Sequence, residues 1–202
     1  MKTSGSGRML ATRTAEPSSV LHGVVLAGGR SSRMGTDKAG LSWHGQPLLE
    51  HMRERLRQAG AARVLVSGPY PGIDGMPDQQ TDLGPLGGLL TLAQTQPDGV
   101  YLLVAVDMPL LTASLLRRLA AAVTAGDGAP CAIWAGHMLP LCLRLDVGVR
   151  AVITDLASRP RRARSLRALH GALGGAELIL AEADERHLVN CNTPEEWRGV
   201  AA

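Results

Sequence analysis

An apolar run, Val20 to Leu26, leads straight into Ala27-Gly28-Gly29-Arg30-Ser31-Ser32-Arg33-Met34-Gly35-Thr36-Asp37-Lys38. A continuous apolar run, rather than an alternating one, suits a strand covered on both faces, as strands of parallel sheets are. Paired glycines directly after such a strand let backbone N–H groups point into a concavity and approach an anion closely. Arg33 and Lys38 bring full positive charges to the same turn-forming stretch. The junction therefore constrains the chain to an α/β arrangement with a phosphate-bearing ligand, a nucleoside triphosphate by its chemistry, at the carboxyl end of the first strand.

The rest of the chain keeps the same rhythm. Leu48, Leu49, Met52, Leu56 and Ala59 recur at helical spacing and stop at Gly60, and Arg63–Ser67 reads as a second strand. Residues 88–94 look helical, and Tyr101–Val106 is the strongest buried-strand candidate. Thr112 caps a helix carrying Leu115, Leu116, Leu119 and Val123. Ala132–Trp134 and Leu139–Leu145 read as a strand pair around Gly136, followed by helical segments at 147–156 and 165–173. Glu177–Ala181 and His187–Val189 read as short strands, with Asn190 and Asn192 alternating at the end of the latter. Thr193-Pro194-Glu195-Glu196 then opens a last helix with a cap, a proline and first-turn acids. The fold class expected is a Rossmann-like α/β three-layer sandwich, a mostly parallel central sheet with helices on both faces. It forms a single domain over residues 20–202. The 26–38 loop, Asp107 and Asn190 fall along its ligand edge.

Residues 1–19 are rich in Ser, Gly, Thr and Arg without a hydrophobic centre, which reads as a flexible tail rather than a secretory signal. They hold +2 of the formal net charge of +3, leaving +1 for the remainder, too little for a nucleic-acid-binding surface. No apolar stretch is long enough to span a bilayer. Cys131, Cys142 and Cys191 form no CxxC pair, which favours neither a disulfide framework nor zinc and suits a reducing cytoplasm.

Lys38 stands out by comparison with its surroundings: of 21 basic residues only Lys2 and Lys38 are lysines. A compact ammonium on a flexible stem serves phosphate oxygens as a point charge that a planar guanidinium does not copy. In Val106-Asp107-Met108-Pro109 a carboxylate ends the strongest strand. Mg²⁺ is usually held by one or two carboxylates plus substrate phosphates, so Asp107 is a candidate ligand, with a cap on the helix near Thr112 as the structural alternative. Gly84-Pro85-Leu86-Gly87-Gly88, preceded by Asp78 and Asp82, either lets a flat base lie against backbone or is simply a glycine-rich helix start. Asn190 and Asn192 serve equally as turn residues or ligand contacts. Arg159, Arg161, Arg162, Arg164 and Arg167 make the one charge cluster, read as a solvated helix face or as a receiver for an anionic phosphate.

Taken in order, LAGGRSSRMGTDK, GQPL, an aspartate before GPLGG, VDMP, HMLPLCL and NCNTPEEW resemble the molybdenum cofactor guanylyltransferases of the nucleotidyltransferase superfamily, from about Gly23 to Trp197. The resemblance implies a nucleotide-diphospho-sugar transferase-like fold and an enzyme that transfers GMP from GTP to molybdopterin, or molybdenum-molybdopterin, with release of pyrophosphate. It implies nucleotide contacts at Leu26, Ala27, Gly28, Gly29, Lys38, Ser67, Asp78, Gly87 and Asp107, with Asp82 the competing alignment for Asp78. Arg33, Lys38 and Asp107 would be catalytic, with Asp107 on Mg²⁺, and Asn190 and Asn192 would lie on the pterin side. Several relatives carry an asparagine where this chain has the shorter Ser67. Molybdoenzyme maturation proteins are the implied partners, and neither nucleic acid nor membrane is. A cytidylyltransferase tends to read Ala-Ala-Gly where this chain has Ala27-Gly28-Gly29, which favours guanine. A non-catalytic nucleotide-binding regulator would need neither Lys38 nor Asp107. A dinucleotide-dependent dehydrogenase would need the G-x-G-x-x-G that is absent here.

Overall fold

A computed structural model describes residues 20–28, 37–70, 74–77, 83–125 and 128–201. In chain order the elements are β1 (Leu21–Leu26), a 3-10 turn (Lys38–Gly40), β2 (Ser42–Trp43), β3 (Gln46–Pro47), α1 (Leu48–Gln58), β4 (Arg63–Ser67) and β5 (Gly75–Met76). Then come α2 (Pro85–Thr95), β6 (Gly99–Ala105), α3 (Ala113–Thr124), β7 (Cys131–Trp134), β8 (His137–Leu145) and α4 (Val147–Ser158). A 3-10 turn (Arg161–Ala163), α5 (Leu166–Leu173), β9 (Ala176–Leu178), a 3-10 segment (Glu182–Leu188) and α6 (Pro194–Ala201) complete the described residues.

The main sheet has the order β5-β4-β1-β6-β8-β7-β9. Its strands are parallel except β8, which runs against both β6 and β7. The apolar runs divide their side chains between two cores. Val25, Leu102 and Val104 face one layer, with α1 and α3, whereas Val24, Leu26, Tyr101 and Leu103 face the other, with α2, α4 and α5. Strands buried on both faces need continuous hydrophobic sequence, which is why β1 and β6 show no alternation.

Local chemistry sets the helix ends. Thr112, Asp146 and Ser165 accept from Leu115 N, Val149 N and Ala168 N and start α3, α4 and α5. Gly84 stands at φ 57°, ψ −143°, a backbone shape only glycine holds without strain, and it turns the chain into Pro85 at the first position of α2. The β2–β3 hairpin turns through His44 (φ 48°) and Gly45 (φ 82°), a tight connection that sequence reading did not mark. One expectation fails. His187–Val189 is not a strand, because its acid-rich approach coils as the 3-10 segment Glu182–Leu188. Asn190 and Asn192 accordingly stand on the connection between that segment and α6, not on a strand end.

Candidate active site

The ends of three strands are knitted together at the carboxyl edge of the sheet. Ala27 N donates to Ser67 O at 2.9 Å, and Val106 N donates to Leu26 O at 3.2 Å. Gly28 follows at once, and a Cβ on Gly68 would lie 3.2 Å from its nitrogen. Leu26, Ala27, Gly28 and Ser67 are thus neighbours in space. Ser67 is buried, and a Cβ on Gly88 would come within 2.5 Å of its hydroxyl, so α2 packs closely there because Gly88 lacks a side chain. Gly87, also buried, donates its N–H to Gly84 O at 2.9 Å in the first turn of α2.

Lys38 begins the 3-10 turn that follows the glycine loop. Its cap is Asp37, whose carboxylate accepts from Ala39 N at 3.1 Å and from the Tyr70 hydroxyl at 3.0 Å. Burial, and then the hydrogen bond to Asp37, push the Tyr70 phenol up to about 12. From this turn the Lys38 ammonium reaches Asp107 Oδ2 at 2.8 Å and Asn192 Oδ1 at 2.9 Å. Residues 69 and 154 positions away from Lys38 in sequence therefore converge on one nitrogen. The side chains of Lys38 and Asp107 are only 12% and 17% exposed, so the pair keeps partial access to solvent and to a ligand.

The turn carrying Asp107 is fastened through its own carbonyls. Cys191 N donates to Asp107 O at 2.8 Å, His51 Nε2 to Pro109 O at 2.9 Å and His187 Nδ1 to Leu110 O at 3.0 Å. Burial lowers the His51 pKa, favouring the neutral ring with its proton on Nε2. Met108 and Leu111 anchor the turn in the core. Asp107 is thus no helix cap; Thr112 fills that role. The Cys191 thiol is raised to about 11, by burial first and then by Asp107 and Glu196, which marks it as a protonated packing residue.

Of the sequence candidates, Lys38, Asp107 and Asn192 come together, with Leu26, Ala27, Gly28 and Ser67 beside them. Asn190 is exposed two residues before Asn192. Gly29, Arg33, Asp78, Asp82 and residues 1–19 lie outside the described residues. Tyr70 and Glu196 escaped sequence reading as site residues. Tyr70 sits among turn formers that give no signal, and the Thr193–Glu196 spacing announced only a helix cap. Of the arginine cluster, Arg159 pairs with Asp155 at 2.6 Å, and Arg161, Arg162 and Arg167 are exposed, with no ion pair among the described residues. At the other end of α4, Arg150 Nη2 donates to Gln96 O at 2.8 Å, just before β6 begins. That helix climbs about 18 Å at 1.5 Å per residue. It delivers Arg161 and Arg162 toward the same carboxyl edge as Asp107.

A glycine loop, a lysine–carboxylate pair and a parallel sheet with one reversed strand together define a nucleotidyltransferase fold. Molybdopterin-guanine dinucleotide biosynthesis protein A from Archaeoglobus fulgidus superposes with a TM-score of 0.69 over 89% of this chain and 96% of its own, at 16% identity. The manganese complex of Rv0371c from Mycobacterium tuberculosis superposes with a TM-score of 0.58 over 91% and 98%, at 20% identity. Residues 23–186 match the MobA-like NTP transferase domain. The molybdenum cofactor guanylyltransferase of Xanthomonas euvesicatoria pv. vesicatoria is 50% identical over 176 residues, 87% of this chain and 91% of that protein. The chain belongs to the MobA-like NTP transferase family, alongside the molybdenum cofactor guanylyltransferases.

Proposed function

We propose that this chain transfers GMP from GTP to molybdopterin, with or without its molybdenum, forming molybdopterin-guanine dinucleotide and pyrophosphate. A terminal phosphate oxygen of molybdopterin attacks the α-phosphorus of GTP. The bond from that phosphorus to the bridging oxygen of the β-phosphate breaks, and its electrons leave with pyrophosphate. The observation that carries this reading is the convergence of Lys38, Asp107 and Asn192 at the strand ends beside Gly28.

The reaction needs no protein nucleophile, so the chain's part is placement and charge. Gly28 and Gly29 would give their N–H groups to the phosphates, and Lys38 and Arg33 would neutralise charge that builds on the α-phosphate and the leaving group. Asp107 fits Mg²⁺, since a single carboxylate at a strand end leaves the remaining positions to substrate oxygens and water. Bound there, the ion would polarise the phosphate oxygens. Asp78, Gly87 and Ser67 serve the nucleoside. Asn190 faces the acceptor side, and Arg161 and Arg162 receive the pterin phosphate.

Residues 20–202 act as one nucleotidyltransferase domain, and molybdoenzyme maturation proteins would take up the product. Incubation with GTP, Mg²⁺ and molybdopterin should yield the guanine dinucleotide by mass, with one pyrophosphate per product. GTP binding without any product would leave a nucleotide-binding regulator instead.

A further inference from the structure

The ammonium of Lys38 ends a four-carbon stem, and its ion pair with Asp107 alone would let the group swing about one contact. A second contact fixes it, and that contact begins at the start of α6. Asn192 Oδ1 accepts from Lys38 Nζ at 2.9 Å. The backbone of Asn192 is in turn held by Glu196, whose Oε2 accepts from Asn192 N at 2.6 Å and from Thr193 N at 3.0 Å. Glu196 N closes the box by donating to Thr193 Oγ1 at 3.2 Å. Immediately before Asn192, Cys191 N donates to Asp107 O at 2.8 Å, so one short segment restrains both members of the ion pair.

The helix behind that segment is itself anchored. Trp197, one residue after Glu196, packs edge-on against Trp43 with ring centroids 5.4 Å apart. Trp43 packs in the same manner against His51 at 6.0 Å, and His51 holds Pro109 O. The capping box therefore rests on the same frame that supports the Asp107 turn.

We propose that Glu196 is a positioning residue: acting through Asn192, its carboxylate sets where the Lys38 ammonium stands. Glu196 touches neither Lys38 nor Asp107, and it works only by fixing the backbone that presents Asn192 Oδ1. The catalytic consequence rests on Lys38 serving the phosphates as proposed above. An ordinary capping box would stabilise α6 and leave turnover alone.

The scarcity of lysine supplies a direct readout, because Lys2 and Lys38 are the only lysines in the chain. In full-length protein grown with lysine ¹³C-labelled at Cε, the Lys38 resonance should stand apart from that of Lys2. Glu196→Ala should move it toward Lys2 and lower kcat about ten- to a hundredfold, the scale of a misplaced catalytic group. KM for GTP should stay within about twofold in that variant, since few contacts to the ground state change. Glu196→Gln should keep the parent resonance and rate, because an amide oxygen also closes a capping box. Asn192→Ala, which leaves the backbone cap intact, should reproduce both effects of Glu196→Ala and so separates positioning from folding. In a Lys38→Ala background, Glu196→Ala should cost nothing more. A Lys38 resonance unmoved by Glu196→Ala and Asn192→Ala overturns the proposal, and so does an additive loss in the Lys38→Ala background. A resonance that moves in a protein whose Lys38→Ala variant turns over normally overturns the catalytic role of Lys38 instead, and with it the effect of Glu196 on rate.

Discussion

Replacing Lys38 by alanine removes two contacts at once, the 2.8 Å pair with Asp107 and the 2.9 Å hydrogen bond to Asn192. The loss of one preorganised electrostatic group should lower kcat at least about a hundredfold, roughly 2.7 kcal/mol of transition-state stabilisation. Stability should fall less. A fully buried pair broken on one side costs roughly 3–5 kcal/mol, but 12% and 17% exposure lets water reach the abandoned carboxylate, which puts the loss at about 1–2 kcal/mol. For a chain of this size that is a drop of roughly 2–8 °C in Tm. Lys38→Arg separates charge from shape. Its planar fork restores a cation but does not fit between two oxygens that a single nitrogen bridges, so it should regain most of the lost Tm and recover turnover no more than about tenfold over the alanine variant. Pyrophosphate release under saturating GTP and acceptor, beside a melting curve for each variant, reads both effects. An alanine variant with parent-like turnover would refute the reasoning, and so would an arginine variant with full activity.

Other consequences follow from separate parts of the structure. Gly88→Ala would place a Cβ 2.5 Å from Ser67 Oγ and 3.1 Å from Leu26 Cδ2, so it should destabilise by about 1–3 kcal/mol in denaturant unfolding, with no change as the contrary result. Neutralising Arg161 and Arg162 together should raise KM for molybdopterin and leave KM for GTP unchanged; equal KM for the acceptor would retire their role. Burial raises the thiols of Cys131, Cys142 and Cys191 to about 11, 12 and 11, above the ordinary cysteine range. The native state therefore holds protons that the unfolded chain gives up. Their contribution to stability is complete below about pH 9 and is lost as pH rises through about 11–12, so unfolding free energy should fall from about pH 9 upward, against a flat profile if the thiols titrate normally.

The parts of this molecule that repeat a simple rule were legible in its sequence. Continuous apolar runs marked β1 and β6, helical periodicity marked α1 and α3, and Thr112 and Thr193 stand as caps where their residue types placed them. Lys38, in the loop after the first strand, and Asp107, at the end of the strongest strand, were legible as separate charges. What was hidden is what long-range contact decides. Nothing local shows that Asn192, 154 residues away, would meet Lys38, or that Tyr70 would hold Asp37. The His187–Val189 error has the same origin. A few apolar residues read as a strand, but His187 turns instead to Leu110 O, and among the described residues the segment joins no sheet. Glu196 was read as a first-turn acid of the last helix, yet only the fold reveals that its carboxylate holds the backbone that presents Asn192 to the lysine.

The base transferred is the most direct test of the account. With molybdopterin as acceptor and Mg²⁺ present, pyrophosphate release with GTP and with CTP, each measured as kcat/KM, should favour GTP by at least about a hundredfold, the scale set by a site that hydrogen-bonds its proper base. Equal rates, or faster release with CTP, would contradict guanylyl transfer.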